Sequence, residues 1–179
     1  MLRKLIISIV LLTVSFSFAQ TSTIRVGQTF TVDYPNSFVR TYDLNESASL
    51  QMINLALGKF SIIIQDEKAS LDHFKIKFGN LEEALDFYIK NLVASMEEGS
   101  TKKSGLKTLK INNYNTIEME LEGALKDEET SELSKIFYHF SIVETPNYYY
   151  QILSWSNQEN KSKYIEEFRK IAGSFKEVN

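Results

Sequence analysis

Residues 136–155 read IFYHFSIVETPNYYYQILSW, two apolar runs on either side of Pro146-Asn147. That dipeptide has turn chemistry, so the runs are predicted strands over Ile136–Val143 and Tyr148–Trp155. In the first, Ile136, Tyr138, Phe140 and Ile142 alternate with Phe137 and Val143. Successive side chains of a strand point to opposite faces, and a strand with one wet face carries a polar residue at every second position. This one is apolar on both faces, so both must be covered.

The covering elements are legible on either side. Asn80–Glu98 predicts a helix, with Leu81, Leu85, Tyr88, Leu92 and Met96 on one apolar stripe. Asn80 and Glu83 have the spacing of a capping box, and Gly99 is a natural stop. A second helix over Asn157–Phe175 carries Tyr164, Phe168, Ile171 and Phe175, with Ser156 and Glu159 as its capping pair. Two amphipathic helices and a sheet with two-sided strands predict an α+β fold. The expected architecture is an antiparallel sheet flanked by helices on both faces, an α/β/α sandwich.

Further strands are predicted over Ile24–Tyr34, Phe38–Leu44, Leu50–Leu57 and Phe60–Ile64, punctuated by Pro35-Asn36, Asn45-Glu46-Ser47 and Gly58. Leu106–Ile111, Asn112-Asn113 and Tyr114–Glu122 read as a hairpin, whose two-residue turn sets Lys107 opposite Glu118. Ile117, Met119 and Leu121 alternate there with Glu118, Glu120 and Glu122, so the glutamate face is expected to meet water. Lys126–Glu132 is a polar loop.

The amino terminus, MLRKLIISIVLLTVSFSFAQ, places Arg3 and Lys4 before an apolar run from Leu5 to Val14. Ser17 and Ala19 supply the small residues of a cleavage site. This is a secretory signal cut between Ala19 and Gln20, leaving one domain over residues 20–179. The run is too short and too rich in serine to be a spanning helix, which needs about 20 apolar residues. With no cysteine there is no lipobox, disulfide, thiolate nucleophile or cysteine metal site. The expected location is the periplasm or the exterior. Removing Arg3 and Lys4 takes the formal net charge from −3 to −5. A mildly acidic protein has no electrostatic footprint for nucleic acid or an anionic membrane.

Candidate chemistry is sparse. Glu118, Glu120 and Glu122 point one way from a strand, about 6.5–7 Å apart, and such a row could bind a cation or a basic partner. The plainer expectation is a solvated face paired with Lys107. His139 shares a face with Phe137 and Ser141 and is expected to be a hydrogen-bonded structural histidine, with no nucleophile or orienting acid at a recognisable spacing. His73 beside Asp72 lacks the further ligands a metal needs. The loop Gly99–Gly105 lacks P-loop order and follows a helix, so it reads as a helix stop and loop. No GxSxG, HExxH, GxGxxG or EF-hand pattern occurs, and no cofactor or metal is implied. Among Tyr148, Tyr149, Tyr150 and Trp155, alternate rings are expected in the core. Tyr148 and Tyr150 are the interface or ligand candidates.

The order of elements resembles the PsbP-like family, which shares its fold with Mog1 and has bacterial extracytoplasmic members. Four stretches carry the likeness: Tyr34-Pro35 with Phe38; Asp43-Leu44-Asn45 with Ala48 and Leu50-Gln51; Ile111-Asn112-Asn113-Tyr114, with Asn113 in place of the family's glycine; and Tyr150–Trp155 followed by the helix to Ser174-Phe175. The resemblance implies a non-enzymatic binding or assembly role with a protein partner, and it offers no catalytic residues. A small-ligand or cation carrier is the second expectation. A hydrolase, which would need His139 or the glutamates in a deep pocket, is the third.

Overall fold

The stretch predicted as one strand over residues 24–34 folds as two. In a computed structural model describing residues 20–127 and 130–178, β1 (Thr21–Val26) turns at Gly27, whose φ of 53° favours glycine, into β2 (Phe30–Pro35). Ala19 lies outside the described residues. Gln20 is the first within them, and its carbonyl accepts the Asn36 N–H at 2.8 Å. The proposed leader therefore has no structural account.

The chain continues through β3 (Val39–Arg40), shorter than its predicted span, then β4 (Leu50–Asn54), a 3-10 turn over Leu55–Leu57, and β5 (Lys59–Glu67). A short helix, α1 (Lys68–His73), precedes α2 (Leu81–Ala94). Asn80 caps α2 as predicted: its side-chain oxygen accepts the Glu83 N–H at 2.9 Å, and the Glu83 carboxylate accepts the Gly79 N–H at 2.7 Å. The helix stops at Ala94, short of the predicted Gly99. There the Glu97 N–H donates to the Ala124 carbonyl at 2.8 Å, drawing the chain onto the sheet.

Next come β6 (Lys102–Ile111) and β7 (Tyr114–Lys126), joined at Asn112 and Asn113 with φ of 46° and 72°. Two left-handed residues in a two-residue loop suit the right-handed twist of a hairpin, and Lys107 pairs with Glu118 as expected. The predicted loop Gly99–Gly105 is strand from Lys102 onward, with a bulge between Ser104 and Lys107. β8 (Leu133–Glu144) and β9 (Tyr148–Asn157) follow, then α3 (Lys161–Gly173) and β10 (Lys176–Glu177). The capping box predicted from Ser156 and Glu159 does not form. Ser156 belongs to β9, and a 3-10 turn over Gln158–Asn160 separates it from the helix.

The fold is mixed α+β with antiparallel pairing throughout. Seven strands run β3-β4-β5-β9-β8-β7-β6, and a small sheet runs β1-β2-β10. Two apolar clusters sort the two-sided strand as its alternation required. Phe137 and Val143 of β8 join Phe168 and Ile171 of α3, together with Phe30, Val32 and Tyr150. Tyr138, Phe140 and Ile142 join Ala84, Leu85 and Ile89 of α2, together with Ile117, Met119 and Leu121. Each large side chain so buried contributes about 1.5–3 kcal/mol. Among the described residues no helix is long and apolar enough to cross a membrane.

Candidate functional site

Parity on β7 sends Ile117, Met119 and Leu121 into the α2 cluster and points Glu118, Glu120 and Glu122 the other way. That second face does not meet water. The three glutamates are 5%, 9% and 9% exposed, and Glu120 and Glu122 take their cations from α3. Lys161 bonds Glu120 at 2.7 Å and also bonds Glu122. Arg169 bonds Glu120 and Glu166, and Gln158 donates to Glu122. From β6, Lys107 reaches Glu118 at 2.8 Å. Gly105, at the bulge with φ of 64°, leaves room over Glu120; a Cβ there would sit 3.1 Å from the carboxylate.

These contacts fix the protonation states. Burial pushes the Glu118 carboxyl up, but contact with His139 and Lys107 outweighs it and holds the group at about 2. Burial likewise opposes ionisation of Glu120, and Lys161, Arg169 and His139 win. Glu122 is lowered chiefly by its bond from Lys161. Lys161 is lowered by burial and raised, on balance, by Glu120 and Glu122. The row is thus an ionised layer matched by Lys107, Lys161 and Arg169. Among the described residues no group of three or more His, Asp or Glu has the placement of a metal site.

His139 lies on this face, 1% exposed, directly opposite Glu120 on β7 and Ser154 on β9. The expectation of a hydrogen-bonded histidine fails. Its Nε2 is 3.5 Å from Glu118 Oε2, beyond ordinary hydrogen-bond length, and neither ring nitrogen has a hydrogen-bond partner among the described residues. The other Glu118 oxygen, Oε1, is bound by Lys107 at 2.8 Å. Beyond His139 the polar row continues across the sheet. Ser154 Oγ is 2.8 Å from Ser61 Oγ, which is 2.8 Å from the Tyr34 hydroxyl. Burial raises the Tyr34 pKa, against a smaller opposing effect of Ser61. Sequence reasoning missed Ser61, Ser154 and Tyr34. The one local signal was a serine inside each of two apolar strands.

The aromatic strand divides. Tyr150, predicted as an interface candidate, is fully buried against Phe30 and Phe175, with ring centroids 5.5 and 4.6 Å away. Its hydroxyl donates to Glu177 at 3.2 Å, so it is a core residue. Tyr148 stays half-buried, its ring 5.6 Å from Tyr150. Tyr149 faces the other way, against Phe78.

A second surface was not foreseen. Val39, Ile53, Phe60 and Trp155 stand side by side in register across β3, β4, β5 and β9. Phe60 and Trp155 stack at 5.3 Å with an interplanar angle of 13°. Both are half-buried, Val39 is 60% exposed, and Leu55 in the adjoining turn is 76% exposed. α2 packs chiefly on β7 and β8, and Trp155 alone of the row borders the cluster beneath it. The pairing joins residues far apart in the chain, which is why local pattern concealed it. Two surface depressions, of about 540 and 520 Å³, lie elsewhere. The first is lined by residues such as Leu133 and Asn157, the second by residues such as Asn80, Lys110 and Glu144.

No family model and no curated protein sequence matches the chain. Solved structures do. The Ran-binding protein Mog1p of Saccharomyces cerevisiae superposes with a TM-score of 0.62 at 11% identity, over 90% of this chain and 97% of that one. Cyanobacterial PsbP (CyanoP) from Synechocystis gives 0.61 at 11% identity, over 91% and 95%. LpqN, involved in cell envelope biogenesis of Mycobacterium tuberculosis, gives 0.55 at 8% identity, over 89% and 91%. At such identities the likeness is one of backbone, and it agrees with the resemblance carried by Tyr34-Pro35 and the Ser174-Phe175 ending: the chain has the PsbP/Mog1-like fold.

Proposed function

We propose that the protein is an exported, non-enzymatic binding or assembly protein of the bacterial cell envelope. It is cleaved after Ala19, works as the single domain 20–179 with a helix on each face of the main sheet, and engages a protein partner in the periplasm or outside the cell. The observation that carries this reading is the apolar row of Val39, Ile53, Phe60 and Trp155, with Leu55 beside it. Accessible aromatic and aliphatic groups on a fixed sheet are the usual core of a protein interface. The fold is shared with a Ran-binding protein and with a protein of cell envelope biogenesis, which supports the same reading. The cation-carrier alternative has less support, because the glutamate row is neutralised by Lys107, Lys161 and Arg169.

The test is photo-crosslinking in intact cells from residues 39 and 55, followed by mass spectrometry that also reads the mature amino terminus. One stoichiometric adduct from each position is expected, lost from residue 39 in Leu55→Glu and from residue 55 in Val39→Glu, in variants that melt normally, together with a terminus at Gln20. An adduct indifferent to both substitutions, or none under native expression, would sink the proposal.

A further inference from the structure

The seven-stranded sheet ends in β6, which has no strand on its outer side among the described residues. Such an edge presents unpaired backbone N–H and C=O groups to any extended chain that reaches it. Four of the ten residues of β6 are lysine (Lys102, Lys103, Lys107 and Lys110), and none is acidic. Register places Lys102 and Lys107 opposite Glu122 and Glu118 on one face, and Lys103 and Lys110 opposite Leu121 and Asn115 on the other. A strand added here would meet lysine on both of its faces. Lys107 is engaged by Glu118 at 2.8 Å, and Lys103 approaches Asp86 at 3.4 Å, with both groups largely exposed. Lys102 and Lys110 enter no ion pair among the described residues.

Edge lysines are a common guard against strand pairing, and the bulge at Gly105 reinforces it. The guard is selective by charge. Across neighbouring strands like charges destabilise and opposite charges stabilise. A lysine row that repels a second copy of β6 therefore attracts a strand that carries carboxylates. The bulge also leaves Leu106 58% exposed, an apolar contact set among the cations. We propose that the β6 edge docks an extended acidic segment of a protein partner by strand addition. This rests on the reading that the chain binds a protein, and it names a surface at the opposite edge of the sheet from Val39.

The test is an NMR titration of the isotope-labelled protein with the blocked octapeptide Glu-Glu-Thr-Val-Glu-Glu-Thr-Val and with its lysine-for-glutamate analogue. The glutamate peptide should give saturable shifts over residues 102–110 and the adjoining part of β7, weakening with salt. The lysine peptide should give none. Lys102→Glu/Lys110→Glu should bind the glutamate peptide about tenfold more weakly, with Lys110→Ala as the milder variant if the double one melts early. No shifts in β6, equal response to the two peptides, or undiminished binding by the double variant overturns the proposal. So does concentration-dependent pairing of β6 with a second copy, or phosphatidylglycerol vesicles shifting β6 where the peptide does not. If the peptide fails while the adduct at residues 39 and 55 persists, strand addition falls and protein binding stands; if both are lost, both fall.

Discussion

β7 carries two kinds of side chain in alternation, and both kinds are buried. Ile117, Met119 and Leu121 meet an apolar surface of α2 made by Ala84, Leu85 and Ile89. Glu120 and Glu122 meet Lys161 and Arg169 of α3, which also brings Phe168 and Ile171 to the core, while Glu118 meets Lys107 of β6 and His139 of β8. α2 is held mainly by apolar packing, with Asp86 meeting Lys103 of β6 at its exposed side. α3 combines such packing with a charged layer that must be fully matched to be tolerated, since unpaired buried charge is costly. A polar strand face can thus be buried like an apolar one, provided its neighbours carry the counter-charges at the right places.

The comparison can be broken in order of expected effect. Phe168 is fully buried with its ring 5.6 Å from Phe137, so Phe168→Ala should cost about 3–5 kcal/mol in urea unfolding. A loss below about 1 kcal/mol would mean that charge, not apolar packing, holds α3. Next is acid. Glu118 has an ordinary pKa of 4.5 and is held at about 2 in the folded chain, so between those values the unfolded state binds more protons. Its stabilisation, about 3 kcal/mol at most, is complete above 4.5 and is lost as the pH falls toward 2. Glu118→Gln should flatten that part of the stability profile. An unchanged slope would show that the His139 and Lys107 contacts are not formed in solution.

A smaller loss, about 2 kcal/mol, is expected for Glu120→Ala, which leaves Lys161 with Glu122 alone and Arg169 with the exposed Glu166. Combining it with Lys161→Met should recover part of the loss if the layer acts as a unit; strict additivity in the double-mutant cycle would argue against coupling. Smallest is Ser141→Ala. The Ser141 hydroxyl is buried without a hydrogen-bond partner among the described residues, so its removal should change stability by no more than about 0.5 kcal/mol, in either direction. A cost above about 1 kcal/mol would point to a partner for that hydroxyl in solution.

The legible parts of the fold are those set by neighbours in sequence. Period-two alternation placed β7, β8 and β9. Asn112-Asn113 set the hairpin register to the residue, and Asn80 with Glu83 marked the start of α2. Burial of the glutamates was not legible, because alternation reports that two faces differ and is silent on what lies against each. Lys161 and Arg169 flank the apolar stripe of Tyr164, Phe168 and Ile171, and that flanking was the available hint. The Tyr34–Ser61–Ser154 chain and the Phe60–Trp155 stack depend on pairings between distant segments, which no local window contains. Tyr150 was misjudged for the same reason: the rings that bury it, Phe30 and Phe175, come from opposite ends of the chain.

The small sheet has a consequence for the time at which this protein becomes itself. β2 pairs Thr31 with Lys176 and Phe30 with Glu177, and the Val178 N–H donates to the Thr29 carbonyl at 2.8 Å. Closing so long a loop is an entropic cost met late in folding, and contacts of such separation slow the approach to the native state. The sheet cannot close until the segment bearing β10 has left the ribosome, and Phe175 beside it completes the ring cluster around Phe30 and Tyr150. Through most of its synthesis the chain is therefore without its final fastening.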